Sequence, residues 1–76
     1  MYQELVEFIV KSIVDEPDAV QVKEIENRHS VMIEIRVASD DTGRVIGKGG
    51  RVINAIRTVV QAQNSDSNKR ISLEII

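Results

Sequence analysis

The sequence predicts a small α+β fold, with three helices on one face of a three-stranded mixed sheet in the order α-β-β-α-α-β. Its 76 residues leave room for one domain, over residues 1–76, and for one layer of helices on one small sheet. Apolar residues recur at helical spacing in two long segments and alternate in three others. A short break separates the first two alternating segments, whereas two helices precede the third, so one antiparallel and one parallel strand pair are expected.

The first half of the chain predicts one helix and a hairpin. An apolar stripe at helical spacing predicts a helix over Tyr2–Val14. Pro17 ends this helix because it lacks an N–H group and disfavours helical geometry at the residue before it. Alternation of apolar and polar residues then predicts strands over Ala19–Glu26 and Val31–Ala38. The polar break between them is of hairpin length, so these strands are expected to pair antiparallel.

The second half predicts two helices that flank a glycine-rich turn, followed by a last strand. The first of these helices, Thr42–Ile46, is short because glycines follow it at 47, 49 and 50. The second has an apolar face at helical spacing over Arg51–Gln63. The turn-forming residues at 64–68 predict a loop, and alternation predicts a strand over Arg70–Ile76.

Composition excludes several classes of protein. Without cysteine and with one histidine, the chain cannot carry a disulfide scaffold or a thiolate or His-rich metal site. Its aromatic residues are Tyr2 and Phe8, which excludes a surface that stacks bases on several rings. No apolar run approaches the roughly 18 residues of a membrane span, and no signal-peptide pattern is present. We therefore expect a cytoplasmic protein with no cofactor, metal or membrane contact.

Two pairs of acidic residues are the candidates for general acid–base catalysis in this sequence. Asp15 and Glu16 follow the first helix, and Asp40 and Asp41 precede the second. Turn and capping roles explain both pairs better than general acid–base chemistry. The sequence contains no pattern of a nucleophile beside a base, so we expect neither an enzyme nor a small-molecule substrate.

Charge is distributed unevenly along the chain. The formal net charge is −2, which by itself argues against a nucleic-acid ligand. The segment 42–65, however, contains no carboxylate and carries Arg44, Lys48, Arg51 and Arg57. A basic patch of this kind attracts phosphates, while an acidic remainder limits non-specific binding. The alternative, a merely solvated helix face, is equally compatible with the charge pattern.

The glycine turn Gly47–Gly50 indicates a phosphate contact, because glycine allows a close backbone approach and a helix begins directly after it. A Walker A loop is excluded: its glycine spacing is wrong, and Lys48 is followed by Gly49 instead of a hydroxyl residue. A G-x-G-x-x-G dinucleotide loop is excluded because position 52 is Val52 and the turn follows a helix. The pattern that fits is G-x-x-G between two helices, as in a KH domain.

The most informative residues are Val45–Ile53, with Ala55–Val60 after them and Asp41 and Gly43 before them. Together they resemble the KhpA family of small bacterial KH-domain RNA-binding proteins. The resemblance covers the whole chain. It implies a type II KH fold, in which the extra helix and strand come first. It also implies binding of single-stranded RNA, a role as RNA chaperone or post-transcriptional regulator, and a larger KH-domain partner of the KhpB type. A link to cell length and peptidoglycan homeostasis is implied as well.

The resemblance carries the RNA-binding role to nine positions. The turn is expected to grip the RNA backbone, Lys48 and Arg51 to pair with phosphates, and Arg44 and Arg57 to reach the strand or remain solvated. Val45, Ile46 and Ile53 are expected to offer an apolar floor to the bases. Ile46 could equally belong to the core, and for Ile53 the core is the favoured interpretation. The expected RNA-binding set is Gly47, Lys48, Gly49, Gly50, Arg51, Arg44, Val45, Ile46 and Arg57.

A second interpretation makes the chain an interaction subunit with a weak or vestigial RNA cleft. Apolar residues are spread so widely around the first helix that one small core cannot easily cover them all. A homodimer would reconcile both interpretations, because two weak clefts gain affinity by avidity. Single-stranded DNA is a third possible ligand, since nothing in the sequence visibly recognises the 2′-hydroxyl group.

Overall fold

Three helices lie against one face of a three-stranded sheet in the computed structural model, which describes residues 2–64 and 69–76. The predicted α+β class and element order are confirmed. The helices and strands are α1 (Gln3–Ile13), β1 (Gln21–Glu26), β2 (Ser30–Arg36), α2 (Thr42–Ile46), α3 (Arg51–Gln63) and β3 (Arg70–Ile75), with 3₁₀ turns at Pro17–Ala19, Ser39–Asp41 and Lys48–Gly50.

The predicted bounds of α2 and α3 are correct, and the other elements differ by one or two residues at their ends. β1 begins two residues later than predicted, because Pro17–Ala19 forms a 3₁₀ turn instead of extended chain. β2 begins one residue earlier and ends two residues earlier, at Arg36. Most of the loop predicted at 64–68 lies outside the described residues.

The sheet has the order β1-β2-β3, with β2 in the centre. β1 pairs antiparallel to β2, and β3 pairs parallel to it, as the hairpin and the two-helix connection predict. In this register Ile33 lies opposite Glu24 on one side and Leu73 on the other. The parallel pairing brings the start of β3 back beside the hairpin, where the Arg70 amide donates to the His29 carbonyl oxygen at 2.9 Å.

The core lies between the inner face of the sheet and the helices. Alternate residues of β2 point into it, and Ile33 and Ile35 are fully buried there. α1 contributes Val6 and Val10 from its inner face. α3 contributes Ile56 and Val60, which have the same spacing along their helix and therefore also share one face. The opposite face of the sheet is partly or fully exposed and carries mostly polar and charged side chains, together with the exposed side chain of Met32. No helix among the described residues is long and apolar enough to cross a membrane.

The outer face of α1 carries an apolar side chain without cover. Phe8 is 72% exposed, whereas Leu5 and Ile9 on the flank of the same helix are packed partly against the core. The wide apolar spread that the sequence shows around this helix therefore divides into a buried face and an exposed part, in which Phe8 is the most exposed side chain and Ile13 is 36% exposed.

Candidate nucleic-acid interface

The turn between α2 and α3 consists of four residues, Gly47–Gly50, and all three of its glycines have positive φ. Gly47 has φ +76° and ψ 170°, Gly49 has φ +65°, and Gly50 has φ +78°. Side chains with a Cβ rarely adopt these conformations. The backbone path between the two helices therefore favours glycine at each of these three positions.

Steric contacts distinguish Gly47 from the other two. A Cβ on Gly47 would lie 2.5 Å from Val52 Cγ2 and 2.7 Å from the Val52 backbone nitrogen. A Cβ on Gly49 would meet nothing within 4 Å, and one on Gly50 would lie 3.6 Å from Asn54 Nδ2. Gly47 thus lets the turn lie directly against the first turn of α3, whereas Gly49 faces open space.

One backbone hydrogen bond connects the turn to α2, and a second lies within the turn. The Gly47 amide donates to the Gly43 carbonyl oxygen at 2.8 Å, and the Gly50 amide donates to the Gly47 carbonyl oxygen at 3.1 Å. The N–H groups of Lys48 and Gly49 open the 3₁₀ turn, and N–H groups at such an opening lack an acceptor within the helix. An anion that approaches the turn therefore finds backbone donors as well as positive charge.

Lys48 and Arg51 present their charges beside these N–H groups. Both side chains are exposed, and neither forms an ion pair with another residue that the structure describes. Arg57, two turns further along α3, donates to Asn54 Oδ1 at 2.7 Å and stays on the helix surface. With Thr58, Gln61 and Ala62 it lines a shallow open groove along α3.

Arg44 is held by two carboxylates and does not point freely from the site. Its Nη2 atom lies 3.0 Å from Asp15 Oδ2, and its Nε atom lies 3.5 Å from Asp41 Oδ1. About half of its side chain remains exposed, but the two ion pairs neutralise its charge locally. Of the four cations in the basic segment, Arg44 is the one that forms ion pairs with acidic side chains among the described residues.

The expected N-cap role of Asp41 is wrong. No side chain caps the first turn of α2. The Asp41 carboxylate instead accepts hydrogen bonds from the backbone N–H groups of Asp15 and Glu16, each at 3.0 Å. Sequence reasoning missed this contact because 25 and 26 residues separate the partners. The one local signal was the three-residue spacing to Arg44, which suits an ion pair on a helix.

The expected apolar floor is smaller than predicted. The Val45 side chain is fully buried in the core, on the side of α2 that packs against α3 and α1, so it does not reach a base. Ile46 is 36% exposed at the end of α2 and remains available beside the turn. Ile53 is half-buried and packs against the core, as expected.

An α-β-β-α-α-β fold whose two consecutive helices are joined by a G-x-x-G turn defines a KH domain of type II. The family model for the KhpA/KhpB KH domain matches residues 3–75. The chain therefore belongs to the KhpA/KhpB KH-domain family.

Curated relatives agree with this family over nearly their whole length. RNA-binding protein KhpA from Caldanaerobacter subterraneus subsp. tengcongensis is 52% identical over 73 residues, which are 96% of this chain and 97% of the relative. RNA-binding protein KhpA from Clostridium acetobutylicum is 50% identical, over 97% of this chain and 99% of the relative. The protein of the same name from Borreliella burgdorferi is 47% identical, over 96% and 89%. No solved structure matches significantly.

Proposed function

We propose that this chain binds single-stranded RNA, and that the glycine turn with Lys48 and Arg51 grips the RNA backbone. The observation that carries the proposal is the exposed pair of cations, without ion-pair partners among the described residues, beside a turn of positive-φ glycines. Relatives that match over nearly the whole chain are named RNA-binding proteins, which supports the same ligand.

The geometry favours a phosphate over a base as the group held at the turn. Backbone N–H groups and the positive end of the α3 dipole both attract an anion. Lys48 and Arg51 add charge at the same place, while Ile46 supplies the one exposed apolar side chain directly before the turn. Contacts of this kind recognise the backbone and the shape of a strand more than its sequence.

We expect modest sequence preference and weak affinity for a single copy. The segment 42–64 contains no aromatic side chain on which a base could stack, and stacking contributes about 1–3 kcal/mol per base in single-strand binders. Ligand recognition therefore depends on phosphate contacts, and each contact is expected to lower the slope of log K against log salt by about 0.7 for a single strand. Tight, sequence-specific binding by an isolated monomer would contradict this proposal.

The test is a titration of short fluorescent single-stranded RNAs with wild type and with the double variant Lys48→Asp, Gly49→Asp, at two salt concentrations. The variant should fold, because Gly49 faces open space and aspartate tolerates left-handed geometry better than most residues. We expect its affinity to fall by about tenfold or more, since two repulsive charges replace one attractive charge at the turn.

A matched control makes the same change in net charge on the open face of the sheet. Lys23→Glu with Gln21→Glu alters two exposed residues of β1, on the face opposite the helices. This control should keep wild-type affinity to within about twofold, since its charges lie on an edge strand, on the sheet face opposite the helices, and exposed charges are screened by salt. Equal losses in both double variants would mean that overall charge, and not the glycine turn, determines binding. A parallel titration with DNA of the same sequence distinguishes the two nucleic acids.

From the family resemblance alone we further propose a cytoplasmic role as RNA chaperone or post-transcriptional regulator, linked to cell length and peptidoglycan homeostasis. A larger KH-domain protein of the KhpB type is the proposed partner. Deletion of the gene followed by complementation with wild type or with the Lys48→Asp, Gly49→Asp variant tests this role. If the variant restores cell length as well as wild type does, the role does not depend on RNA binding at the turn.

A second candidate function is that of a protein-interaction subunit, which the exposure of Phe8 favours. An aromatic side chain that is 72% exposed on the outer face of a helix is typical of an interface anchor. Size-exclusion chromatography with light scattering, on wild type and on Phe8→Ser, measures self-association directly. A monomeric wild type, with no change on substitution, would argue against a homodimer through this face.

A further inference from the structure

Asp41 is the one charged side chain that is buried among the residues the structure describes, with 1% of its surface exposed. Burial of a carboxylate is unfavourable unless hydrogen bonds and opposite charge compensate for the lost hydration. Asp41 has both kinds of compensation. Its Oδ1 and Oδ2 atoms accept from the Asp15 and Glu16 amides, each at 3.0 Å, and Arg44 Nε lies 3.5 Å from Oδ1.

These contacts join two parts of the chain that are distant in sequence. Asp15 and Glu16 belong to the connection between α1 and β1, directly after the end of α1. Asp41 directly precedes α2, and Arg44 lies within it. Arg44 also reaches Asp15 Oδ2, so that one guanidinium bridges the two carboxylates. The α1–β1 connection is therefore joined to the start of α2 by two hydrogen bonds and one ion pair, and a second ion pair, between Arg44 and Asp41, lies within the α2 segment.

The five-residue helix α2 needs such a fastening. A helix this short is not stable by itself in water, because formation of the first hydrogen-bonded turn is unfavourable. The Val45 side chain, in the last part of α2, is buried in the core, and Asp41 anchors the beginning of the helix. Its end continues into the glycine turn through the hydrogen bond from the Gly47 amide to the Gly43 carbonyl oxygen.

We infer that Asp41 is a positioning residue, which fixes the direction of α2 and thereby holds the glycine turn in its binding geometry without touching RNA. The inference rests on the proposed function, because it assigns Asp41 a role in RNA affinity. It explains why a carboxylate is buried there when an apolar residue would fill the same space. Two oxygens that accept from two consecutive N–H groups define an orientation that apolar packing alone leaves open.

The test is the variant Asp41→Asn, which keeps the size of the side chain. Its amide NH₂ group cannot accept from the Glu16 amide, and the ion pair with Arg44 is lost. Asp40→Asn is the matched control, since Asp40 is exposed and adjacent. Val31→Ala is a stability control, because it removes buried methyl groups at the hairpin end of β2, away from the turn.

Two measurements are made at a temperature at which circular dichroism shows each variant to be folded. The first is RNA affinity, which we expect to weaken about tenfold in Asp41→Asn if about one molecule in ten retains a competent turn. The second is amide hydrogen exchange at 48–51, which should accelerate in Asp41→Asn. Asp40→Asn and Val31→Ala should match wild type in both.

The outcomes separate the positioning role from a general structural role. If folded Asp41→Asn binds RNA as Val31→Ala does, with unchanged exchange at 48–51, Asp41 contributes to stability alone and the inference is wrong. If wild type itself binds no RNA while exchange at the turn still accelerates in Asp41→Asn, the proposed function fails and the positioning of the turn stands. Should Asp41→Asn fail to fold, Arg44→Gln serves as the milder variant with the same two measurements and the same criteria.

Discussion

Replacing Gly47 with alanine tests the geometry of the glycine turn most directly. Gly47 has φ +76° and ψ 170°, a combination that is essentially restricted to glycine. The new Cβ would lie 2.5 Å from Val52 Cγ2 and 2.9 Å from Val52 Cβ. Contacts this short require α3 to move away from the turn, or the turn to change its path.

The expected loss of stability follows from these two contributions. A side chain in this backbone region costs about 1–3 kcal/mol, and overpacking of this kind typically costs about 1–3 kcal/mol more. The sum of about 2–6 kcal/mol is a large part of the total stability of about 4–11 kcal/mol expected for a chain of this length. Since 1 kcal/mol shifts the Tm of a small domain by about 4–8 °C, we expect a fall of about 10 °C or more.

The assay is thermal unfolding by circular dichroism, with two glycine variants as controls. Gly49→Ala takes on the left-handed backbone cost of about 1–2 kcal/mol without any steric contact. Gly43→Ala lies within α2, where its Cβ meets nothing within 4 Å, and it should gain about 0.5–1 kcal/mol from helix propensity. The expected order of Tm is therefore Gly43→Ala, wild type, Gly49→Ala and Gly47→Ala, from highest to lowest.

The order of the Tm values decides whether the steric argument for Gly47 is correct. A Tm for Gly47→Ala within about 2 °C of wild type, or above that of Gly49→Ala, would show that the turn does not pack against Val52 as described. Such a result would also remove the steric argument for the close approach of the turn to α3.

Three further predictions concern charge, pH and packing. Lys48→Ala should make the negative slope of log K against log salt for RNA binding less steep by about 0.7, as measured by fluorescence titration. Arg44→Ala should leave this slope unchanged but lower the free energy of unfolding in urea by about 1 kcal/mol, because its two ion pairs are lost. Burial raises the pKa of Glu24, but the positive terminal amino group and hydrogen bonds from the Tyr2 and Gln3 backbone N–H groups outweigh it and lower that pKa below 4.5. This stabilisation is present above pH 4.5 and lost in acid, so the stability difference between wild type and Glu24→Gln should shrink between pH 7 and pH 3; a constant difference would contradict this. Val45→Ala should cost about 2 kcal/mol by opening a cavity, while the exposed Ile46→Ala should weaken RNA binding with little effect on Tm.

Elements with a clear period were predictable from the sequence. β2 alternates regularly, so its buried set follows from the pattern alone, and α3 begins at Arg51 because the glycines at 47, 49 and 50 disfavour a continuous helix before it. The pairing directions followed from the lengths of the connections, a short hairpin for β1–β2 and two helices for β2–β3. The position of the candidate site followed from the spacing of Gly47 and Gly50 and from the absence of carboxylates around it.

The tertiary structure decided which of the neighbouring side chains face that site. A helix of five residues is too short for its sequence to define a buried face, so the burial of Val45 and the exposure of Ile46 became evident only from the packing of α2 against α3 and α1. The partners of Arg44 and Asp41 include residues of the α1–β1 connection. Local sequence encodes periodicity and turn chemistry, whereas contacts between distant segments arise only when the fold brings them together, and those contacts determine which cations of the basic segment remain free of acidic partners.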